Sequence, residues 1–183
     1  MENNKFRENF IPAIVLLSIC LCATLALAAV HSVTQPLIDD NAVKAADQAR
    51  ATVLPEGDSF EEYDGKLVDG VDDCYIASNK AGMAVTTHYK GFGGDVKVMT
   101  GIDAEGKVVG VTVTEHAETP GLGTKDMTPE YLSQYKGVSE ASQSHIKDDP
   151  NIDAVTGATI TANAIYNAVG EALAQFESCG GVK

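Results

Sequence analysis

The chain has 183 residues, of which 44% are hydrophobic, and a formal net charge of −13. That hydrophobic fraction is ordinary for a globular protein and excludes disorder as the default state. The large negative charge excludes nucleic acid as a natural partner and repels anionic membrane surfaces. The length favours one folded domain together with a distinct N-terminal segment.

An uncharged apolar run occupies residues 10–30 and is preceded by Lys5 and Arg7. Such a run is long enough to cross a hydrocarbon core of roughly 30 Å as one helix. The next basic residue is Lys44, so the asymmetry of positive charge predicts a cytoplasmic segment at residues 1–9 and export of everything after the run. The sequence therefore predicts a single-pass membrane anchor followed by an extracytoplasmic domain.

A cleaved signal peptide is the alternative interpretation of the same run. Ala26, Leu27 and Ala28 fit the small-x-small cleavage rule, but the run exceeds the roughly 7–15 apolar residues typical of a signal peptide. A lipoprotein signal has weaker support, because Ile19 rather than a small residue precedes Cys20. Under each interpretation the remaining chain leaves the cytoplasm.

The segment 31–79 is expected to form an extracytoplasmic helix and a connection to the domain core. Thr34 can cap a helix and Pro36 suits a first helical turn, so a helix is predicted from 34 to 53. An acidic, glycine-rich stretch follows, and a short strand is predicted within it at 66–68.

Strand signals begin just before the expected domain core, which comprises residues 80–183. Segments rich in valine and threonine predict four strands, at 74–78, 83–90, 96–102 and 107–115. The turn sequence Asp103–Gly106 lies between the last two strands and predicts that they form a β-hairpin.

Two helices are predicted after the hairpin. The sequence Thr128-Pro-Glu supplies a cap, a first position and an acidic first turn for a short helix over 128–136. An apolar stripe over 160–176 predicts a final amphipathic helix that ends near Gly180 and Gly181. This order of elements favours an α+β fold, a mostly antiparallel sheet with helices packed against it.

The four cysteines fall into two pairs. Cys20 and Cys22 lie in the apolar run, where they are expected to act as small hydrophobic side chains. Cys74 and Cys179 are far apart in sequence and, outside the cytoplasm, either form a disulfide or remain two thiols. The four histidines lack metal-ligand spacing, so no metal site is expected.

A loop with three hydroxyl side chains precedes the final helix. It reads Asp153-Ala-Val-Thr156-Gly157-Ala158-Thr159-Ile-Thr161. A helix N-terminus offers unpaired N–H groups and a positive dipole end, which suit a phosphate, and a glycine permits close approach of a ligand. The same residues also fit an ordinary capping loop in which one of the three threonines is the N-cap.

A second loop follows the predicted hairpin and reads Glu118-Thr119-Pro-Gly121-Leu122-Gly123. On its own, this sequence predicts a tight turn built from proline and glycine.

Together the two loops resemble those of the FMN-binding domain shared by the G subunit of the Rnf complex and the C subunit of the sodium-pumping NADH:quinone oxidoreductase. In that family a flavin transferase uses FAD to esterify FMN onto the last residue of the pattern Asp-x-x-Ser/Thr-Gly-Ala-Thr/Ser. This sequence matches at 153, 156, 157, 158 and 159. The resemblance therefore implies one FMN per chain, attached covalently through its phosphate to Thr159.

The resemblance also assigns the neighbouring residues to the cofactor site. It implies that the flavin is bound by Asp153, Thr156, Gly157, Ala158 and Thr161 of the first loop and by Glu118, Thr119, Gly121, Leu122 and Gly123 of the second. It covers roughly residues 80–178, and the short chain favours the Rnf member, because the quinone-reductase member has a long insertion after its membrane helix.

The implied function is electron relay. A chain of this family is expected to be a subunit of a ferredoxin:NAD oxidoreductase in a prokaryotic cytoplasmic membrane, coupled to Na⁺ or H⁺ movement and not an enzyme by itself. Its expected partners are the other membrane subunits and, during maturation, the flavin transferase. Two alternatives stay open: a membrane-tethered FMN-binding sensory or binding module, and an extracytoplasmic interaction domain without flavin.

Overall fold

The computed structural model describes residues 2–141 and 144–182, with side chains described from residue 10 onward. It contains two compact units, Met1–Ala45 and Ala46–Lys183. The first unit consists of part of a single long helix, α1 (Glu2–Val53). From Phe10 onward this helix is long and apolar enough to cross a membrane. Its large apolar side chains, such as Leu17 and Leu27, are exposed, as a lipid-facing surface requires.

The predicted helix over 34–53 is confirmed in its helical state and in its end at Val53, but its predicted start at Thr34 is wrong, because α1 continues through this position. The Thr34 hydroxyl donates to the Val30 carbonyl at 3.0 Å, and the Ser32 hydroxyl donates to the Ala29 carbonyl at 2.9 Å. These bonds to the preceding turn accommodate both residues inside a helix. Pro36 also lies within the helix, where it removes a single backbone hydrogen bond without ending it.

The second unit is built on a five-stranded antiparallel sheet. Its strands are β1 (Phe60–Glu62), β2 (Val71–Ala77), β3 (Gly82–Lys90), β4 (Asp95–Asp103) and β5 (Val108–Glu115), in the spatial order of the sequence. The predicted hairpin of β4 and β5 is confirmed. Asp103 Oδ1 accepts from the backbone N–H groups of Glu105 and Lys107, and Gly106 has a φ of +84° in the turn. The strands β1 and β2 precede the expected core, which was predicted to begin at residue 80, but they belong to the same sheet and to the same compact unit as β3, β4 and β5.

The strand predicted at 66–68 is wrong, and β1 is the strand that forms this edge of the sheet. The backbone of the 66–68 segment is bound by a buried side chain of the last helix. Gln175 Oε1 accepts from the Val68 N–H at 2.6 Å, and its Nε2 donates to the Lys66 carbonyl at 3.3 Å. Since these groups bond to Gln175, they do not pair with a neighbouring strand. The strand β2 also begins three residues before its predicted start.

The last helix, α3 (Thr159–Cys179), packs on one face of the sheet against β3 and β4. The main core lies between them and includes Met83, Val98, Ile165 and Val169. The buried face of α3 differs from the predicted apolar stripe in the first turn, where Ile160 is exposed. This helix confirms the apolar periodicity read from the sequence.

The end of α1 packs on the opposite face of the sheet. Val53 forms a small core with Ala84 and Met99. Two glycines paired across β4 and β5, Gly101 and Gly110, permit this approach, because a Cβ on either would lie 2.2 or 2.9 Å from the Val53 carbonyl oxygen. The glycines therefore fix where α1 meets the sheet.

The predicted helix over 128–136 is shorter in the structure. It comprises α2 (Pro129–Leu132), followed by a 3₁₀ turn at Ser133–Tyr135. The predicted cap is confirmed, since Thr128 Oγ1 accepts from the Tyr131 N–H at 3.3 Å.

Cys74 and Cys179 belong to the same apolar cluster and are thiols in this structure. Burial and the neighbouring Cys179 thiol raise the pKa of Cys74 to about 12. Whether the two form a disulfide stays an open prediction.

Candidate functional site

A cleft of about 370 Å³ lies where three segments meet: the 91–94 turn after β3, the 118–123 loop after β5 and the start of α3. It is lined by Phe92, Glu118, Thr119, Leu122, Gly123, Gly157, Ala158, Thr159, Ile160 and Thr161. The two loops singled out in the sequence thus meet at one cleft. Eight of its ten lining residues are among those the resemblance assigned to the flavin.

The start of α3 has no side-chain cap. Its N-cap residue is Ala158, which makes no capping hydrogen bond. The alternative in which a threonine caps this helix is therefore wrong. Gly157, with a φ of +90°, turns the chain into the helix through a conformation that favours glycine. Among the described residues, no side chain makes a capping hydrogen bond at the positive end of the α3 dipole, the end that suits an anion.

The hydroxyl side chains of the first loop differ in position. Thr159 is the first residue of α3 and is half-buried at the cleft. Thr161 also lines the cleft but is only 2% exposed. Thr156 is exposed and does not line the cleft. Of the three, Thr159 combines access from solvent with a position at the helix terminus.

Asp153 is held by its backbone rather than brought into the cleft. Its N–H donates to Gln134 Oε1 at 2.8 Å, and its carbonyl accepts from the Tyr131 hydroxyl at 2.8 Å. These bonds tie the first loop to α2 and the turn that follows. Although Asp153 belongs to the same loop as Thr159, it does not line the cleft.

The second loop is closed by its own hydrogen bonds. The Gly121 N–H donates to Thr124 Oγ1 at 2.9 Å, and the Leu122 N–H donates to the Thr119 carbonyl at 3.2 Å. Gly121 has a φ of +79° and shapes this turn without lining the cleft. The turn presents Leu122 to the cleft with 56% of its side chain exposed.

Glu118 bridges two of the three segments. Its side chain is 6% exposed, and Oε1 accepts from the backbone N–H groups of Phe92 at 2.7 Å and Gly93 at 3.1 Å. Glycines flank the carboxylate on both sides. A Cβ on Gly91 would lie 2.3 Å from Oε1, and one on Gly123 would lie 2.5 Å from Oε2.

The cleft carries exposed apolar side chains that the sequence-based site did not include. Phe92 is 75% exposed and Ile160 is 55% exposed. With Leu122, they are the exposed large apolar residues of the described chain outside α1. The signal for Phe92 was an aromatic residue placed between glycines in a turn. Ile160 was assigned to the buried face of α3 and not to the site, because it continues the apolar periodicity of that helix.

Asp126 is a buried carboxyl group beside the start of α3. It lies in a 3₁₀ helix (Gly123–Met127) directly after the second loop and is fully buried. Neither oxygen makes a hydrogen bond of good geometry to a described residue, although the Ala162 N–H in the first turn of α3 is close enough to act on the carboxyl group. Burial, assisted by the charge of Glu118, raises the pKa of Asp126 to about 6, although the nearby Ala162 N–H and Lys125 lower it.

Comparison with known proteins first gives the class. Residues 91–174 match the model of the FMN-binding domain. The chain is 30% identical to the G subunit of the proton-translocating ferredoxin:NAD(+) oxidoreductase complex of Clostridium ljungdahlii, over 90% of this chain and 89% of that protein. It is 30% identical to the G subunit of the Na(+)-translocating ferredoxin:NAD(+) oxidoreductase complex of Acetobacterium woodii, over 90% of each chain.

A solved structure, the C subunit of the Na(+)-translocating NADH-quinone reductase of Parabacteroides distasonis, is similar at 18% identity and a TM-score of 0.39, over 55% of this chain and 59% of that chain. That likeness is too low to bear on function. The relatives in sequence are decisive: this chain belongs to the G-subunit family of ion-translocating ferredoxin:NAD(+) oxidoreductase complexes, the Rnf family expected from its two loops.

Proposed function

We propose that this chain is the FMN-carrying electron-transfer subunit of a membrane ion-translocating oxidoreductase complex, with one FMN esterified through its phosphate to Thr159. The observation that carries the proposal is the meeting of both family loops at one cleft, at the uncapped start of α3. Membership of the G-subunit family supports the electron-transfer role.

The residues at the cleft fit a phosphate and a flat apolar ring. The uncapped terminus of α3 offers N–H groups and a positive dipole end to a phosphodiester. The half-buried hydroxyl of Thr159 stands at that terminus, within reach of a transferase. Phe92, Leu122 and Ile160 supply apolar surface. A volume of about 370 Å³ falls within the range of ordinary cofactor clefts.

FMN, when attached, supplies the redox chemistry, and the protein supplies its position and environment. Covalent attachment keeps the cofactor in an exported domain, where a lost flavin could not be replaced from the cytoplasm. The proposal places the anchor at residues 10–30, the domain outside the cytoplasm of a prokaryotic cell and the other membrane subunits as partners. A flavin transferase is the partner during maturation.

The attachment is tested with the full-length chain, co-expressed with a flavin transferase and separated under denaturing conditions. We expect a band with flavin fluorescence that is lost in Thr159→Val and kept in Thr159→Ser, because serine retains the reacting hydroxyl. Thr114→Val, at an exposed strand position distant in sequence, is the matched control and should stay fluorescent. A fluorescent Thr159→Val band would contradict the attachment site.

Membership of a complex needs a separate experiment. We expect the tagged full-length chain to co-purify with other membrane subunits from mildly solubilised membranes of its own organism. Purification of the flavin-bearing chain without any of them would favour a membrane-tethered FMN-binding module outside such a complex.

A further inference from the structure

The geometry points to a division of labour at the cleft: Phe92 covers one face of the flavin ring, and Glu118 positions Phe92. This inference rests on the proposed function, since the occupant of the cleft is the isoalloxazine of the FMN on Thr159. It gives Glu118 a different role from direct cofactor binding and adds Phe92 to the site.

The exposure of Phe92 is the first observation. A single exposed apolar side chain is normal on a protein surface, but a group of them at one concave site indicates a ligand. Outside α1, the exposed large apolar residues of the described chain are Phe92, Leu122 and Ile160, and all three line this cleft. Ile160 adjoins Thr159 in sequence, so a ring tethered to Thr159 is held at high effective concentration beside this apolar surface.

The rigidity of the turn that carries Phe92 is the second observation. The Gly91 N–H donates to the Gly94 carbonyl at 2.8 Å, and a Cβ on Gly93 would lie 2.3 Å from the Ala117 carbonyl oxygen. The turn is therefore packed closely against the chain that leads into the second loop. The backbone that carries Phe92 is thus held in place, while its ring is exposed to the cleft.

The buried carboxylate of Glu118 connects the turn to the second loop. Oε1 accepts from two consecutive N–H groups, those of Phe92 and Gly93. Hydrogen bonds to an ionised acceptor are stronger and shorter than neutral ones. Glu118 itself begins the second loop, and its Oε2 leaves no room for a Cβ on Gly123, so this side chain links the turn that carries Phe92 to the loop that carries Leu122.

The absence of tryptophan from the chain provides a direct test of Phe92. An indole in contact with a flavin quenches its fluorescence by electron transfer, which requires close approach. In full-length protein loaded by a flavin transferase, we expect Phe92→Trp to lower native flavin emission at least threefold, with recovery on denaturation. The control is Phe176→Trp, which places the indole near the other end of α3, about 26 Å along the helix from Thr159. Its emission should equal that of the wild type.

Failure of this inference and failure of the proposed function give different results. Equal native emission from Phe92→Trp and Phe176→Trp, with equally bright denatured bands, overturns the contact of Phe92 with the ring and leaves attachment intact. It would favour a protein partner for the apolar surface. A dark denatured wild-type band, with active transferase, overturns the attachment and this inference with it.

The positioning role of Glu118 is tested in the Phe92→Trp background. Glu118→Gln keeps an oxygen acceptor for the two N–H groups, and we expect it to retain most of the quenching. Glu118→Ala removes the acceptor and should restore at least half of the lost emission per attached flavin, because the turn no longer holds its place. Equal quenching in the two variants, normalised to the denatured bands, overturns the positioning role. A structural defect common to both would not separate glutamine from alanine.

Discussion

The two ends of α3 are built differently: the C-terminal end has a complete cap, and the N-terminal end, where we propose that the cofactor is attached, has none. At the C-terminal end Gly180 has a φ of +71°, and its N–H and that of Gly181 donate to carbonyls of the last turn. Such a left-handed cap satisfies the end of a helix. At the N-terminal end Ala158 provides no cap, and Ile160 is exposed.

Buried polar side chains repeat the contrast. Near the C-terminal end the buried Gln175 bonds to Lys66, Val68 and Cys179. Beside the N-terminal end the buried Asp126 makes no hydrogen bond of good geometry to the residues whose structure is described. Buried polar groups are normally satisfied, so an exception calls for a reason. The missing cap at the start of α3 is therefore accompanied by an under-satisfied buried carboxyl group, which we expect to cost stability.

The largest expected effect on stability comes from a substitution near the C-terminal end of α3, where the buried Gln175 has its hydrogen-bond partners. Gln175→Leu keeps the side-chain volume but leaves the Val68 N–H and the Lys66 carbonyl without their partner. Because each hydrogen bond contributes about 0.5–1.5 kcal/mol and the substitution removes three, including the one to Cys179, we expect a loss of roughly 3 kcal/mol in the free energy of unfolding. Thermal unfolding in detergent measures it, with Ser178→Ala on the same helix as control. An unchanged melting temperature would remove the contrast between the two ends.

The next effect has the opposite sign and lies at the N-terminal end. The pKa of Asp126 is raised from its ordinary 3.8 to about 6, so the folded state keeps a proton that the unfolded state loses between these values. Stability therefore falls as the pH rises from about 4 to 6 and stays lower above that window. We expect Asp126→Asn to stabilise the protein at pH 8 by about 2 kcal/mol and to flatten the profile.

Unfolding of Asp126→Asn at pH 4 and pH 8 provides the measurement. Asp148→Asn, at an exposed position, is the matched control and should change the profile little. If Asp126→Asn destabilised the protein at pH 8, the carboxylate would have to make a stabilising interaction there, and the N-terminal end would not be under-satisfied.

Local patterns were sufficient to predict most of the fold. Valine and threonine alternation found β3, β4 and β5, and the apolar stripe found α3, because each pattern states which face is buried. The segment 66–68 was misassigned because its partner, Gln175, is more than a hundred residues away. No local pattern contains such a bond. The start predicted at Thr34 failed for a different reason, since threonine fits a helix interior as well as a cap.

The sequence predicted which loops form the candidate site, but it did not predict how deeply each residue is buried there. The resemblance assigned eight lining residues, yet it could not distinguish Thr161, which is buried, from Thr156, which is exposed. Asp126 carries no motif, and its importance follows only from burial that the fold creates. Phe92 belongs to a turn joined to the second loop by one side chain, Glu118, across 26 residues of sequence.

The smallest expected effect is the most direct test of the contrast, because it gives the N-terminal end the cap it lacks. Ala158→Ser introduces a hydroxyl at the N-cap position, where serine is worth about 1 kcal/mol relative to alanine. That hydroxyl accepts from the same first-turn N–H groups that would face the phosphate of FMN. We therefore expect a rise of a few degrees in the melting temperature of the flavin-free chain together with weaker in-gel flavin fluorescence. Ala174→Ser, at an exposed position of α3, is the control. A variant that is both stabilised and fully flavinylated would show that the uncapped terminus of α3 is not needed for the cofactor.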